Sequence, residues 1–249
     1  AYEISLGLVG SEMCIRDRYR GSTKEHSDPL MRTYLEDLIY RLSETSEVRD
    51  RRFEFIILED KTINAFAAPG GIIGINLGMF LNTEREGEMA SVMCHELAHL
   101  SQRHFARSQN RNSPLANALM ILGSIAVAAA SRNPEAILIA PAAMQQMSIN
   151  YTRSNEKEAD RIGFNNIVKA GFDPNDMTMM FQRMQDRYQN EDSEQFSYLM
   201  THPLPSERLT DMRIRSDGLK KNSKNSYRDN MDFYLMPVSY THLTLPTKA

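Results

Sequence analysis

Apolar residues recur every three to four positions along several stretches of this chain, a spacing that predicts amphipathic α-helices. One stretch runs from Pro29 to Ser43, and another begins near Thr83 and is expected to continue past Leu100. Asp173 followed by Pro174 is typical of a helix start, whereas Gly171 is typical of a helix end. We therefore also predict helices over Tyr151–Ala170, from Pro174 to about Tyr188, and over Ser206–Leu219.

Shorter runs rich in Ile and Phe predict three β-strands. These runs are Phe53–Leu58, Ile63–Phe66 and Gly71–Leu77, and the last two flank a Pro69-Gly70-Gly71 turn. The predicted fold class is therefore α+β, mainly helical, with a small β-sheet. The length of 249 residues allows one domain with a full hydrophobic core.

Residues 113–149 form an ambiguous, weakly charged stretch. The run from Pro114 to Ala130 falls slightly short of the roughly 20 apolar residues that span a bilayer. The second run, Ile137–Met147, is shorter and is expected to be broken by Pro141. A helical hairpin, a membrane-surface contact and a true span all remain open, with the hairpin favoured.

Overall composition is that of an ordinary globular protein. The formal net charge is −3, with 24% charged and 41% hydrophobic residues, so no basic excess argues for nucleic-acid binding. The two cysteines, Cys14 and Cys94, are not expected to pair, and they do not decide the cellular compartment.

One motif carries specific chemistry: His95-Glu96-Leu97-Ala98-His99 lies in the helix predicted from Thr83. Residues four apart on a helix lie about 40° apart, so both imidazoles leave the same face and can bind one Zn²⁺. Glu96 is expected to act as the base for a metal-bound water. Thr83 and Glu86 are predicted to cap the helix start through a capping box.

A third ligand is expected from Asn155-Glu156-Lys157-Glu158-Ala159-Asp160. On a helix, Glu156 and Asp160 share a face, so we predict Glu156 as a ligand and Asp160 as the acceptor for a ligand imidazole. Glu158 points away from both. The alternative is a solvated charged face. His104, five residues after His99, is predicted to face elsewhere as an ordinary polar histidine.

These two motifs together resemble the zinc metalloproteases of the HtpX, BepA and CaaX-prenyl-protease family. Further resemblance lies in two segments, 63–71 (INAFAAPGG) and 201–208 (THPLPSER). The resemblance runs from about Ser27 to Tyr234 and implies a zincin-type domain, one zinc ion per chain and an endopeptidase activity. With the two ends of the chain set aside, the predicted domain covers residues 19–237. Its periplasmic branch is the most similar, which implies a periplasmic or cell-envelope location and substrates among unfolded or misassembled envelope proteins.

The ends of the chain are not expected to belong to this domain. Residues 1–18 and 238–249 look like adapter-derived sequence. Relatives in the periplasmic branch carry helical repeats after the protease domain, and no such repeats are expected here.

Catalysis by such a site needs a donor for the tetrahedral oxyanion. His202 and Arg208 are the candidates, with Tyr151 a weaker one. His202 has two other possible roles, as a fourth zinc ligand that makes the enzyme latent or as a loop anchor. An extended substrate is expected to pair with the strand region, at the residues Asn64, Ala65, Phe66, Gly70 and Gly71.

Two rival functions remain open on sequence alone. The first is a zinc-stabilised binding or chaperone module with a closed metal site and little cleavage. Glu96 argues against it, because a purely structural site has no use for a carboxylate directed at water. The second is a membrane-embedded protease of the same family.

Overall fold

The computed structural model describes residues 24–111, 136–190, 197–220, 230 and 232–237. Both predicted tails, 1–18 and 238–249, lie outside these ranges, as do residues 112–135 of the ambiguous stretch. The elements in chain order are α1 (Pro29–Thr45), β1 (Glu54–Leu58), β2 (Ala65–Ala68), β3 (Ile72–Asn76), α2 (Leu77–Asn82), α3 (Glu86–Ser101), α4 (His104–Arg111), α5 (Ala136–Lys169), α6 (Pro174–Asn190), α7 (Ser197–Thr201) and α8 (Ser206–Lys220).

Local sequence signals set several helix boundaries, and Gly171 and Pro174 lie at helix ends as predicted. The side chain of Asp28 accepts the backbone N–H of Leu30 at the start of α1, where Pro29 occupies the first turn. Gly171 has a φ of 87° immediately beyond α5, and Pro174 begins α6. The predicted helices over Pro29–Ser43, Pro174–Tyr188 and Ser206–Leu219 are confirmed to within about two residues.

The sheet has three strands in the order β1-β3-β2. β1 runs parallel to β3, and β2 pairs antiparallel with β3 across the Pro69-Gly70-Gly71 turn. Gly70 and Gly71 have φ values of 89° and 80°, which favour glycine. The fold class predicted from the sequence, α+β and mainly helical with a small sheet, is confirmed.

Helix α3 lies at the centre of the molecule, and its residues from Glu86 to Ala98 are all buried. The sheet and α1 pack around it in the main hydrophobic core, to which Leu38, Ile73 and Met93 belong. Helix α5 crosses α3 closely at Gly163, where a Cβ would lie 3.0 Å from the backbone nitrogen of His95. This close approach brings the acidic residues of α5 against the histidines of α3.

Three local predictions were wrong. The expected capping box is absent, because Glu86 instead accepts hydrogen bonds from Tyr34 and Arg41 of α1 in the core. The hydroxyl of Thr83 donates to the carbonyl of Met79. Helix α5 begins at Ala136 rather than at Tyr151 and continues past Pro141, so that proline does not break it.

The structure bears only partly on the stretch 113–149. Its second half, from Ala136, belongs to α5. Among the residues that the structure describes, no helix is long and apolar enough to cross a membrane. The hairpin and the membrane-surface contact stay predictions.

Candidate metal centre

Three separate parts of the chain bring four potential metal ligands together. His95 and His99 lie one turn apart on α3, Glu156 lies on α5, and His202 directly follows α7. Each can offer one ligand atom, and these four atoms lie within 4.8 Å of one another. The predicted ligands His95, His99 and Glu156 are thus adjacent, and so is the predicted fourth candidate.

The separations between these atoms fit a zinc ion. Nε2 of His95 lies 2.9 Å from Nε2 of His99, and these nitrogens lie 3.4 and 3.3 Å from carboxylate oxygens of Glu156. Tetrahedral zinc with ligands at about 2.0–2.1 Å has ligand–ligand separations of roughly 3.3 Å. Two imidazoles and a carboxylate are also the donor set of many catalytic zinc sites. The residues present therefore fit this metal.

Charges within the site shift the ionisation of its histidines. Burial disfavours protonation of His95, but the carboxylates of Asp160 and Glu156 outweigh it and raise its pKa to about 9. Burial lowers the pKa of His99, and His95 lowers it further. Burial opposes the ionised form of Glu156, but its contacts with His202, His95 and His99 hold its pKa far below the usual value. In the absence of a metal, His95 is therefore the ligand whose ring carries a proton on both nitrogens at neutral pH.

Asp160 lies directly behind His95, as predicted. Its Oδ1 is 3.0 Å from Nδ1 of His95. The distance suits a hydrogen bond, although the direction of the N–H deviates from the line between the two atoms. Burial raises the pKa of Asp160, but the bonds to His95 and Arg208 outweigh this effect and lower it. Asp160 is thus placed to accept a hydrogen bond from the ring nitrogen that faces away from the metal ligands.

Arg208 does not point into open space beside the ligands. It is 3% exposed and donates to both carboxylate oxygens of Asp160, at 2.6 and 2.7 Å. Its Nη1 donates to the carbonyl of Pro203 at 2.6 Å and lies 2.9 Å from Glu156. The guanidinium therefore connects the two acids of α5 to the loop that carries His202.

Glu96 is held at both carboxylate oxygens. The backbone N–H of Ala67, in β2, donates to Oε2 at 3.2 Å, and the hydroxyl of Tyr198 donates to Oε1 at 3.1 Å. Nε2 of His202 lies 3.5 Å from the same Oε1. This carboxylate is fixed beside the ligands rather than among them, which is the place that a general base needs.

Tyr198 was missed by the sequence analysis. It lies on α7, is 2% exposed and stacks on the His202 ring, with centroids 4.5 Å apart and planes at 27°. The signal was the spacing of four between Tyr198 and His202, which places both on one face of a helical turn. That turn is only five residues long and was not predicted as a helix.

The edge of β2 that faces the site has backbone groups turned outward. Asn64 accepts from the N–H of Asn76, so alternate residues pair with β3, and the backbone groups of Ala65 and Ala67 point away from it. No other described strand pairs with this edge. Of the other residues predicted to contact substrate, Asn64 and Phe66 direct their backbones towards β3, and Gly70 and Gly71 form the turn.

The prediction for His104 was wrong. Helix α3 ends at Ser101, and Arg103 takes a φ of 54°, so the helix is interrupted and His104 begins a separate helix, α4. Its Nδ1 lies 2.9 Å from Nδ1 of His99. Of the remaining candidates, Tyr151 lies where the structure describes only the backbone.

Comparison with known proteins agrees with this geometry. A family model described as Peptidase family M48 matches residues 29–216. The chain is 42% identical to a putative beta-barrel assembly-enhancing protease of Vibrio cholerae, over 84% of this chain and 44% of that protein. It is 37% identical to the beta-barrel assembly-enhancing protease of Escherichia coli, over 91% of this chain and 47% of that protein.

A more distant relative is a mitochondrial metalloendopeptidase of Schizosaccharomyces pombe. It is 27% identical over 78% of this chain and 57% of its own length. The chain spans about half the length of the curated relatives that it matches.

Proposed function

The chain belongs to peptidase family M48, a family of metalloproteases, and on that premise we propose that it is a zinc-dependent endopeptidase. The proposed ligands are Nε2 of His95, Nε2 of His99 and the carboxylate of Glu156. The observation that carries the proposal is the convergence of these three donors beside Glu96, a carboxylate held out of the ligand set.

When bound, zinc would supply Lewis acidity for the scissile carbonyl and lower the pKa of a water ligand towards about 7. Glu96 takes a proton from the attacking water and returns it to the leaving amine nitrogen. The hydrogen bonds from Ala67 and Tyr198 keep its carboxylate in one orientation during both transfers. Asp160 holds His95 in the tautomer that leaves Nε2 free to bind metal.

His202 has two active roles that fit its position. Its Nδ1 lies 3.1 Å from Glu156 and its Nε2 lies 3.5 Å from Glu96, so the ring spans the gap between ligand and base. As a fourth ligand it would close the site and keep the enzyme latent; as a donor it would stabilise the oxyanion. His202→Ala separates the roles: higher activity supports latency, lower activity supports catalysis, and unchanged activity leaves only a loop anchor.

For Arg208 the contacts favour a positioning role over oxyanion donation. Its nitrogens are used by Asp160, Pro203 and Glu156, and it is almost fully buried. It fixes the acidic side chains of α5 and ties them to the loop after His202.

Substrate selection in this proposal depends on backbone rather than side chains. A peptide in extended conformation can add to the outer edge of β2, where Ala65 and Ala67 present backbone groups next to Glu96. Such binding requires an unfolded or misassembled segment. Because similar proteins are named beta-barrel assembly-enhancing proteases, we propose envelope proteins as substrates and the periplasm or cell envelope as the location.

The experiment that tests the proposal compares wild type with Glu96→Gln on unfolded casein, with zinc content measured in both. We expect the wild type to cleave and the variant to retain zinc without cleaving. A second candidate function is a zinc-stabilised binding module, which the presence of a fourth potential ligand, His202, favours. Absence of cleavage by both proteins, each with one tightly bound zinc, would support that alternative and refute the protease.

A further inference from the structure

A buried histidine that the proposed chemistry does not use lies behind His99. The side chain of His104 is 4% exposed, and both of its ring nitrogens meet polar partners. Nδ1 lies 2.9 Å from Nδ1 of His99, and Nε2 lies 3.0 Å from Oε2 of Glu158. The rings of His99 and His104 have centroids 4.8 Å apart and planes at 77°, an edge-on arrangement that suits an N–H···N hydrogen bond.

An unusual backbone conformation brings His104 to this position. Arg103 adopts a φ of 54°, in the left-handed region that side-chain-bearing residues rarely occupy. On a continuous α-helix His104 would lie about 140° around the axis from His99. Breaking α3 before Arg103 and restarting as α4 turns the imidazole back beneath His99. Such strained residues persist where the surrounding structure requires them.

The positions of the protons follow from the proposed metal ligation. If Nε2 of His99 binds metal, the proton of that neutral ring is on Nδ1, which then donates to Nδ1 of His104. The proton of His104 must therefore be on Nε2, which donates to Glu158. Arg107 lies 3.3 Å from the same oxygen of Glu158 and balances its charge. Each ring proton in this series of hydrogen bonds thus has one donor and one acceptor.

We propose that His104 and Glu158 are positioning residues that fix the tautomer and ring orientation of His99 through this relay. The inference rests on the proposed zinc ligation. The two ligand histidines then have different hydrogen-bonding partners. His95 contacts the carboxylate of Asp160 directly, whereas His99 contacts a second imidazole, which in turn contacts a carboxylate. Both arrangements leave Nε2 of the ligand free for metal.

The test measures zinc affinity by competition with a chromophoric chelator. Loss of such supporting groups typically weakens metal binding by about 10–100-fold. We expect a loss in that range for His104→Leu, which removes the acceptor. We expect less than about tenfold for His104→Asn, whose amide oxygen can occupy the place of Nδ1. Lys157→Met, a change at an exposed residue on the same helix as Glu158 but outside the relay, should alter affinity by less than about threefold.

Nitrogen-15 NMR of the histidine rings supplies a readout that is independent of metal and activity. In the zinc-free wild type, His99 should carry its proton on Nδ1 and His104 on Nε2. His104→Leu should increase the fraction of His99 that carries its proton on Nε2, because the acceptor for the Nδ1 proton is gone. Should His104→Leu fail to fold, Glu158→Leu tests the same relay, because Glu158 is 32% exposed and its replacement is better tolerated. Glu158→Gln, which keeps an acceptor, should then restore most of the affinity.

Three results would overturn the inference. One is wild-type zinc affinity in folded His104→Leu; another is an equal loss in His104→Leu and His104→Asn, which would indicate packing alone. The third is a wild-type His104 with its proton on Nδ1. A wild type that binds no zinc would overturn the metal site itself. The zinc affinities of the variants relative to wild type, and the histidine tautomers, test only the relay.

Discussion

Replacing Arg208 by Met should destabilise the fold strongly, because it removes from a buried carboxylate the guanidinium that bonds both of its oxygens. Asp160 is 2% exposed, and the guanidinium provides bonds of 2.6 and 2.7 Å to both of its oxygens. The same side chain also donates to the carbonyl of Pro203 and contacts Glu156. Methionine fills much of the volume but satisfies none of these acceptors.

The expected magnitude follows from the geometry. Removing one partner of a buried ion pair costs about 3–5 kcal/mol. For a domain of this size the free energy of unfolding falls by roughly 2–3 kcal/mol per molar of urea. The urea concentration at the midpoint of unfolding should therefore fall by about 1–2 M. Arg208→Lys keeps the charge but not the bidentate geometry, so its midpoint should lie between those of wild type and Arg208→Met.

The assay is urea unfolding followed by circular dichroism, with and without a zinc chelator. Lys157→Met is a matched control, because Lys157 and Glu207 form the pair next to Glu156 and Arg208 on the same two helices. That pair is 54% and 70% exposed, and exposed pairs contribute about 0–1 kcal/mol. Its midpoint should hardly change. A midpoint for Arg208→Met as close to wild type as that of Lys157→Met would refute the reasoning.

Three further outcomes are expected. Tyr198→Phe should lower kcat by about 10–100-fold with KM little changed, because a hydrogen bond to a charged group contributes about 1.5–3 kcal/mol. A fluorogenic peptide assay measures both constants, and an unchanged kcat would contradict this. Because the pKa of His95 is raised to about 9, one proton competes with zinc for this ligand. The apparent zinc affinity should therefore rise about tenfold per pH unit from pH 7 to near pH 9. Chelator competition at several pH values measures this, and an affinity independent of pH would contradict it. Gly74→Val should lower the free energy of unfolding, measured in urea, by about 1–3 kcal/mol, since a Cβ at this position would overlap Phe66. Gly218→Ala, in an open helical position, should raise that free energy slightly. Similar effects of the two changes would argue against the overlap.

The parts of the site that the sequence predicted are those determined by local periodicity. His95, Glu96 and His99 share one helix, and Glu156 and Asp160 share another, so a spacing of four was sufficient to place each pair on a common face. The helix and strand candidates were recognisable for the same reason. The family resemblance then linked the two helices.

The misses depend on contacts between residues distant in sequence. Glu86 does not cap α3, because Arg41 and Tyr34, more than forty residues earlier, hold it in the core. His104 contacts His99 because the helix breaks at Arg103, and no glycine marks that break. Its other ring nitrogen meets Glu158, more than fifty residues later. The parallel pairing of β1 with β3 likewise has no local signature.

The ring of Phe66 packed over Gly74 has a consequence for how this domain can vary among related chains. Successive amides of a strand point to opposite edges, and the fit between this ring and this glycine keeps β2 in one register with β3. The residue that follows Phe66 therefore presents its backbone N–H to Glu96, whatever its side chain. Related chains can vary at position 67 without losing this bond, with proline as the exception, because proline has no backbone N–H. A proline there should separate the base from the strand while leaving the helices intact.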